Sequence, residues 1–167
     1  EPWGEDWIII PVDGYGNDEM IRSALQKEKP DVLWFMTDPR FYGWLWEIDN
    51  EVRAHVPMVY YHVWDNFPTP HYNKIFYDST DAVVSISKVT EEIIKETSPA
   101  SNGGRIPHAV NSSVFRPLTK PEEKEKVEFM KQQVMTSTNA PLDDKMIFFW
   151  NNRNARRKQS GSLIYWF

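Results

Sequence analysis

The sequence contains no cysteine, which excludes disulfide bonds, thiolate metal sites and a cysteine nucleophile. It also lacks any D-x-D motif, the loop in which a metal-dependent transferase would hold its nucleotide. Three of the four histidines, His55, His71 and His108, do not have the spacing of a metal site. We therefore expect no metal requirement.

Long apolar runs are missing too, since none approaches the roughly 18 residues that a membrane span needs. The net charge of -5 argues against nucleic acid as the main partner, because phosphate binding needs a dominant basic surface. A chain of 167 residues with eight tryptophans has enough apolar material for one domain and part of another. The lack of cysteine suits a reducing compartment, so a cytoplasmic location is expected.

Short apolar segments alternate with helical patterns along most of the chain. The predicted strands are 7–12, 31–36, 57–63, 82–87 and 145–150, with extended chain again at 105–108. The predicted helices lie between residue 17 and Pro30, and at 41–53, 72–77, 89–96, 120–133 and 161–167; Asn17 or Asp18 caps the first and Ser87 the fourth. This alternation predicts an α/β fold with a Rossmann-like, doubly wound parallel sheet.

The most specific segment runs from Arg105 to Pro117 and reads Arg-Ile-Pro-His-Ala-Val-Asn-Ser-Ser-Val-Phe-Arg-Pro. It resembles the segment of family 4 glycosyltransferases that joins their first Rossmann-like domain to the second. Ala109 stands where the family usually has glycine, and Asn111 where it usually has aspartate. The resemblance implies a GT-B fold, of which this chain is a part, and places His108 and Asn111 in an active-site loop between the domains.

A second segment, Phe148 to Lys158, is similar to the opening of the nucleotide-sugar domain in the same family. Arg153 and Lys158 match its paired cations, so the resemblance assigns them to the donor diphosphate. Such a pair makes chemical sense because the charge of a diphosphate leaving group grows as the glycosidic bond breaks. From composition alone, a solvated basic turn that also includes Arg156 and Arg157 is an equal alternative.

Two further candidates close the predicted strand 57–63, at the edge where open α/β sheets bind ligands. His62 resembles the family histidine that faces the acceptor and the transferred sugar, and Asp65 follows it in the loop; both are catalytic candidates. Asp38, after the preceding strand, is a weaker candidate of the same kind. The alternative is structural: a histidine whose hydrogen bonds are satisfied internally, and an aspartate that only caps a loop.

The resemblance also implies a domain organisation and an activity. Residues 1–118 correspond to part of the N-terminal, acceptor-side domain, 119–144 to a linker helix and loop, and 145–167 to the first strand, loop and helix of a truncated C-terminal domain. The implied reaction is metal-independent, retaining transfer of a sugar from a nucleotide-sugar to an acceptor hydroxyl. The nucleotide-sugar is a substrate and no cofactor is implied, and this chain alone is expected to be inactive.

Several questions stay open at this level. The acceptor can be a saccharide, a lipid or another hydroxyl compound, and the full-length parent can be cytoplasmic or peripheral to a membrane. Strand edges left by truncation favour self-association. The rival interpretation is a noncatalytic module, either of a flavodoxin-like binding type or one that uses its tryptophan-rich surface for a partner.

Overall fold

The computed structural model describes residues 7–64, 66–135 and 148–167. The described strands are β1 (Leu33–Met36), β2 (Met58–His62) and β3 (Ala82–Ser85). The described helices are α1 (Asp18–Glu28), α2 (Gly43–Glu47), α3 (Asp49–Arg53), α4 (Lys74–Asp78), α5 (Lys88–Thr97), α6 (Pro121–Met135) and α7 (Ser160–Trp166). The chain forms two compact units, Glu1–Val110 and Asn111–Phe167.

The first unit contains a parallel sheet in the order β1-β2-β3. Phe35, Tyr60 and Val83 are aligned across it and all three are buried. A parallel bridge between Ser85 and Arg105 continues the sheet beyond β3, where extended chain was predicted. The mixed α/β class with a parallel sheet is therefore confirmed, while the doubly wound arrangement stays a prediction.

Helices pack their apolar residues against one face of this sheet. The core combines strand residues with Leu45 of α2, Val52 of α3, Tyr77 of α4 and Ile94 of α5. The predicted helix 41–53 is divided at Ile48, whose backbone angles are not helical. Two short helices therefore replace the single helix that was expected.

Local capping chemistry sets the helix starts in this unit. The Asn17 side chain accepts a hydrogen bond from the Met20 amide at 2.9 Å, and Ser87 accepts one from the Thr90 amide at 3.1 Å. Both caps satisfy amide groups that have no partner within the helix. The predicted caps Asn17 and Ser87 are thus confirmed.

The prediction of a strand at 7–12 is wrong. These residues form no strand, and the side chains of residues 7–10 are 58–79% exposed. A strand exists only through hydrogen bonds to a neighbouring strand, and Pro11 has no amide hydrogen to contribute. For the predicted strand 145–150, residues 148–150 form no strand, and the rest lies outside the described residues.

The second unit contains α6 and α7, which correspond to the predicted helices 120–133 and 161–167. A salt bridge of 2.5 Å joins Arg116 to Glu123 in the first turn of α6. Phe129 and Met130 are 60% and 65% exposed, in keeping with a solvated helix. Within the three described ranges, no helix is both long enough and apolar enough to cross a bilayer.

Candidate functional site

His62, the last residue of β2, is completely buried and both of its ring nitrogens have partners. Its Nδ1 atom lies 2.8 Å from the Tyr60 hydroxyl, and its Nε2 atom lies 2.6 Å from the Tyr77 hydroxyl. Tyr60 is two residues earlier on the same strand, so both side chains are on the same face. Tyr77 comes from α4, which lies against that face. The histidine therefore joins a strand to a helix.

The hydrogen bonds around His62 fix its tautomer. The Tyr60 hydroxyl donates to the Thr37 carbonyl at 2.5 Å, so it must accept from His62, whose proton is therefore on Nδ1. The Nε2 atom of His62 then accepts from Tyr77, which in turn is 3.4 Å from its donor, the Asn73 side-chain amide. These five residues form one chain of hydrogen bonds, which we call the His62 network.

Burial also sets the charge of this network. It lowers the pKa of His62 from 6.5 to about 4, against a smaller opposing influence of the Asp38 carboxylate. Burial likewise raises the pKa of Tyr77 to about 12 and raises the pKa of Tyr60. All three groups are neutral near pH 7. His62 thus has neither a free nitrogen nor an exposed surface with which to contact a substrate in this structure.

His108 lies on the opposite face of the sheet from His62. Its exposed ring stacks on Tyr61 at a centroid distance of 5.6 Å, and Tyr61 stacks on Trp34 at 5.4 Å. Tyr61 is adjacent to His62 on β2, and adjacent strand residues point to opposite faces. The Tyr61 hydroxyl also donates to the Ile106 carbonyl at 2.6 Å, which holds the segment before His108 against β2. The structure therefore does not bring His62 and His108 together.

Asn111 organises a tight turn at the start of the second unit. Its side-chain oxygen accepts hydrogen bonds from the Ser113 amide at 3.0 Å and the Ser113 hydroxyl at 2.6 Å. Its carbonyl accepts from the amides of Val114 and Phe115. Ala109, two residues earlier, does not have a positive φ, so its side chain causes no backbone strain.

The basic segment Arg153–Lys158 ends in a 3-10 turn, Arg156–Lys158, that leads into α7. Arg153, Arg156 and Arg157 are exposed and Lys158 is half-buried. Gln159 adopts a left-handed conformation with φ of 55°. The chain therefore makes a sharp turn directly after the basic residues. We call residues 153–158 the basic loop.

The arginines of the basic loop differ from the other arginines of the chain in their ion-pair partners. The five arginines before residue 117 all pair with carboxylates: Arg22, Arg40, Arg53, Arg105 and Arg116. Within the part of the chain that the structure describes, no carboxylate pairs with Arg153, Arg156 or Arg157, or with Lys158. Among the described residues, the basic loop is therefore a local positive surface on an acidic chain.

The remaining candidates have different outcomes. Asp65 lies outside the described residues. Asp38 caps the 3-10 turn Pro39–Tyr42 by accepting from the Arg40 amide, and it pairs with the Arg40 guanidinium at 2.8 Å. A local structural role thus accounts for Asp38. No group of three or more metal-ligating side chains occurs among the described residues.

Sequence reasoning missed the partners of His62. Tyr60 has a signal in the sequence, because residues two apart on a strand share a face. Tyr77 has no such signal, because it reaches His62 only through the packing of α4 on the sheet. The same holds for Asn73, which joins the network through Tyr77. A cleft of about 560 Å³ was also missed; it lies between α1 and α3 and contains no predicted site residue.

Comparison with protein-family models, with curated proteins and with solved structures finds no match to this chain.

Proposed function

We propose that this chain is part of a retaining, metal-independent glycosyltransferase of the family 4 type, in which the basic loop binds the diphosphate of a nucleotide-sugar. The proposal includes a GT-B architecture in which β1 to β3 belong to the acceptor-side Rossmann-like domain. It rests on the residues themselves: the segment from Arg105 to Pro117 and, about thirty residues later, the basic loop.

The observation that carries the proposal is that no carboxylate among the described residues pairs with the basic loop. Four cations within six residues repel one another, and elsewhere in this chain arginine charges are offset by aspartate or glutamate. A bound anion would offset the repulsion among Arg153, Arg156 and Arg157. A diphosphate supplies two adjacent charged groups at a spacing that suits several guanidinium forks.

In the proposed reaction, the bond between the anomeric carbon and the diphosphate oxygen breaks, and a bond to the acceptor oxygen forms on the same face of the sugar. Negative charge accumulates on the departing diphosphate, where Arg153 and Lys158 offset it without a metal ion. The acceptor hydroxyl proton passes to the departing diphosphate oxygen as the new bond forms. His62 is given no contact with substrate, because its nitrogens are committed to Tyr60 and Tyr77.

The test is calorimetric titration of the chain with UDP and with GDP. An Arg153→Ala, Lys158→Ala double variant should weaken binding at least about tenfold, because each charge-assisted hydrogen bond contributes roughly 1.5–3 kcal/mol. A Lys124→Ala, Lys126→Ala double variant is the matched control, since it removes the same charge from exposed positions on α6.

Equal weakening in the two double variants would reduce the basic loop to a nonspecific positive surface and would contradict the proposal. Binding of inorganic sulfate as strongly as UDP would contradict it as well. Selective loss in the Arg153, Lys158 variant, with a preference for one nucleotide base, is the expected result.

A further inference from the structure

The outer edge of β1 has unused hydrogen-bonding groups. The Leu33 amide donates to the Pro57 carbonyl at 3.0 Å, so Leu33 and Phe35 direct their backbone groups toward β2. Trp34 and Met36 therefore direct theirs away from β2. Within the described residues β1 has β2 as its sole strand neighbour, which leaves an open edge.

The same unit contains a segment of strand-forming residues that pairs with no strand among the described residues. Residues 7–10 read Trp-Ile-Ile-Ile, a sequence with high β propensity, and their side chains are 58–79% exposed. The segment is four residues long, as is β1. Its length thus matches that of β1, and its β-forming residues suit pairing with the open edge.

An apolar groove of about 390 Å³ runs beside β1. It is lined by Trp34 and Met36 of β1, by Trp44 of α2, and by Val12 and Tyr15. Trp34 and Met36 are each 51% exposed, so an added strand has apolar side chains to cover. The two surfaces therefore suit each other chemically as well as in length.

We infer that two copies of this chain exchange residues 7–10, each copy adding its segment as a parallel strand to the open edge of β1 in the other. In the described protomer residues 7–10 are exposed and form no strand, although Val12 of the same protomer lines the groove. In a two-fold exchange, the hydrogen-bonding groups of both β1 edges and of both segments find partners at once. In the inferred register Ile10 lies beside Met36.

Cysteine cross-linking tests this arrangement, because the natural chain has no cysteine. Ile10→Cys and Met36→Cys are prepared as separate proteins and mixed under mild oxidation. Neighbouring strands lie about 4.8 Å apart, within the range that a disulfide spans. The mixed disulfide should be the main product. In the control mixture Ile75→Cys replaces Ile10→Cys. Ile75 lies on α4 and is 65% exposed, and this mixture should give little mixed disulfide.

Light scattering of the unmodified chain should give twice the monomer mass of 19.7 kDa. Ile9→Pro removes a strand amide hydrogen and should give monomers, whereas Ile9→Thr keeps a β-branched residue and should remain dimeric. A monomeric natural chain would overturn the inference. A dimer that Ile9→Pro leaves intact would overturn it as well. A third contrary result is a monomeric Ile10→Cys, Met36→Cys double variant that forms a disulfide within one chain, because residues 7–10 would then pair with β1 of the same chain.

Discussion

The Tyr77 hydroxyl donates a hydrogen bond of 2.6 Å to the Nε2 atom of His62 in the buried core. Tyr77→Phe removes this donor and leaves Nε2 without a partner away from water. The free energy of unfolding should fall by about 1–3 kcal/mol. Urea denaturation measures it, with Tyr72→Phe as the control, since Tyr72 is 69% exposed. Equal stability of the two variants would contradict the network.

The pKa of His62 predicts a pH dependence of stability. In the unfolded chain this histidine binds a proton near pH 6.5, whereas in the folded chain its pKa is about 4. Between these values the unfolded state binds more protons, so the free energy of unfolding should decrease by about 3 kcal/mol as the pH falls. His62→Gln should remove this slope and His55→Gln should keep it. If stability depends on pH in His62→Gln as it does in the natural chain, other titrating groups cause the dependence.

Gly103 allows the chain to pass close to β3. Its φ is +140°, and a Cβ atom added there would lie 2.0 Å from the Val83 carbonyl oxygen. Gly103→Ala should therefore cost about 2 kcal/mol or more, by forcing residues 102–106 away from β3. Gly104→Ala is the matched control, because its added Cβ has no neighbour within 4 Å. Thermal unfolding compares the two, and similar midpoints would show that this close approach is not needed.

Asp81 connects the amino ends of β2 and β3. Its carboxylate accepts a hydrogen bond of 2.8 Å from the Met58 amide and pairs with Arg53 at 2.7 Å. Asp81→Asn should lower the free energy of unfolding by about 1 kcal/mol, because the ion pair is partly screened by solvent. Asp31→Asn, which changes an exposed carboxylate just before β1, should have almost no effect. If chemical denaturation shows that Asp31→Asn lowers the free energy of unfolding more than Asp81→Asn does, this role of Asp81 is contradicted.

Local rules predicted the parts of the fold that depend on neighbouring residues. The caps at Asn17 and Ser87 follow from the hydrogen bonds of their side chains to amides three residues later. The strand predicted at 7–12 failed because pairing with a distant strand decides whether an apolar run becomes a strand. The apolar pattern of these residues carries no information about such a partner.

The candidate site was predictable to a similar extent. The positions of Arg153 and Lys158 in a basic turn could be read from the sequence. That no carboxylate of the described residues pairs with them could not, because ion pairs can join residues that are distant along the chain. For the same reason the sequence could not show that His62 is fully occupied. Its second partner, Tyr77, is fifteen residues away and reaches it through the packing of α4.

The His62 network has a direction. The Thr37 carbonyl can only accept, so each donor before it, from Asn73 through Tyr77, His62 and Tyr60, can point only one way. No single hydroxyl or ring can reverse without breaking a hydrogen bond of the network. The residue after β1, the end of β2 and α4 are consequently joined by hydrogen bonds of one fixed direction.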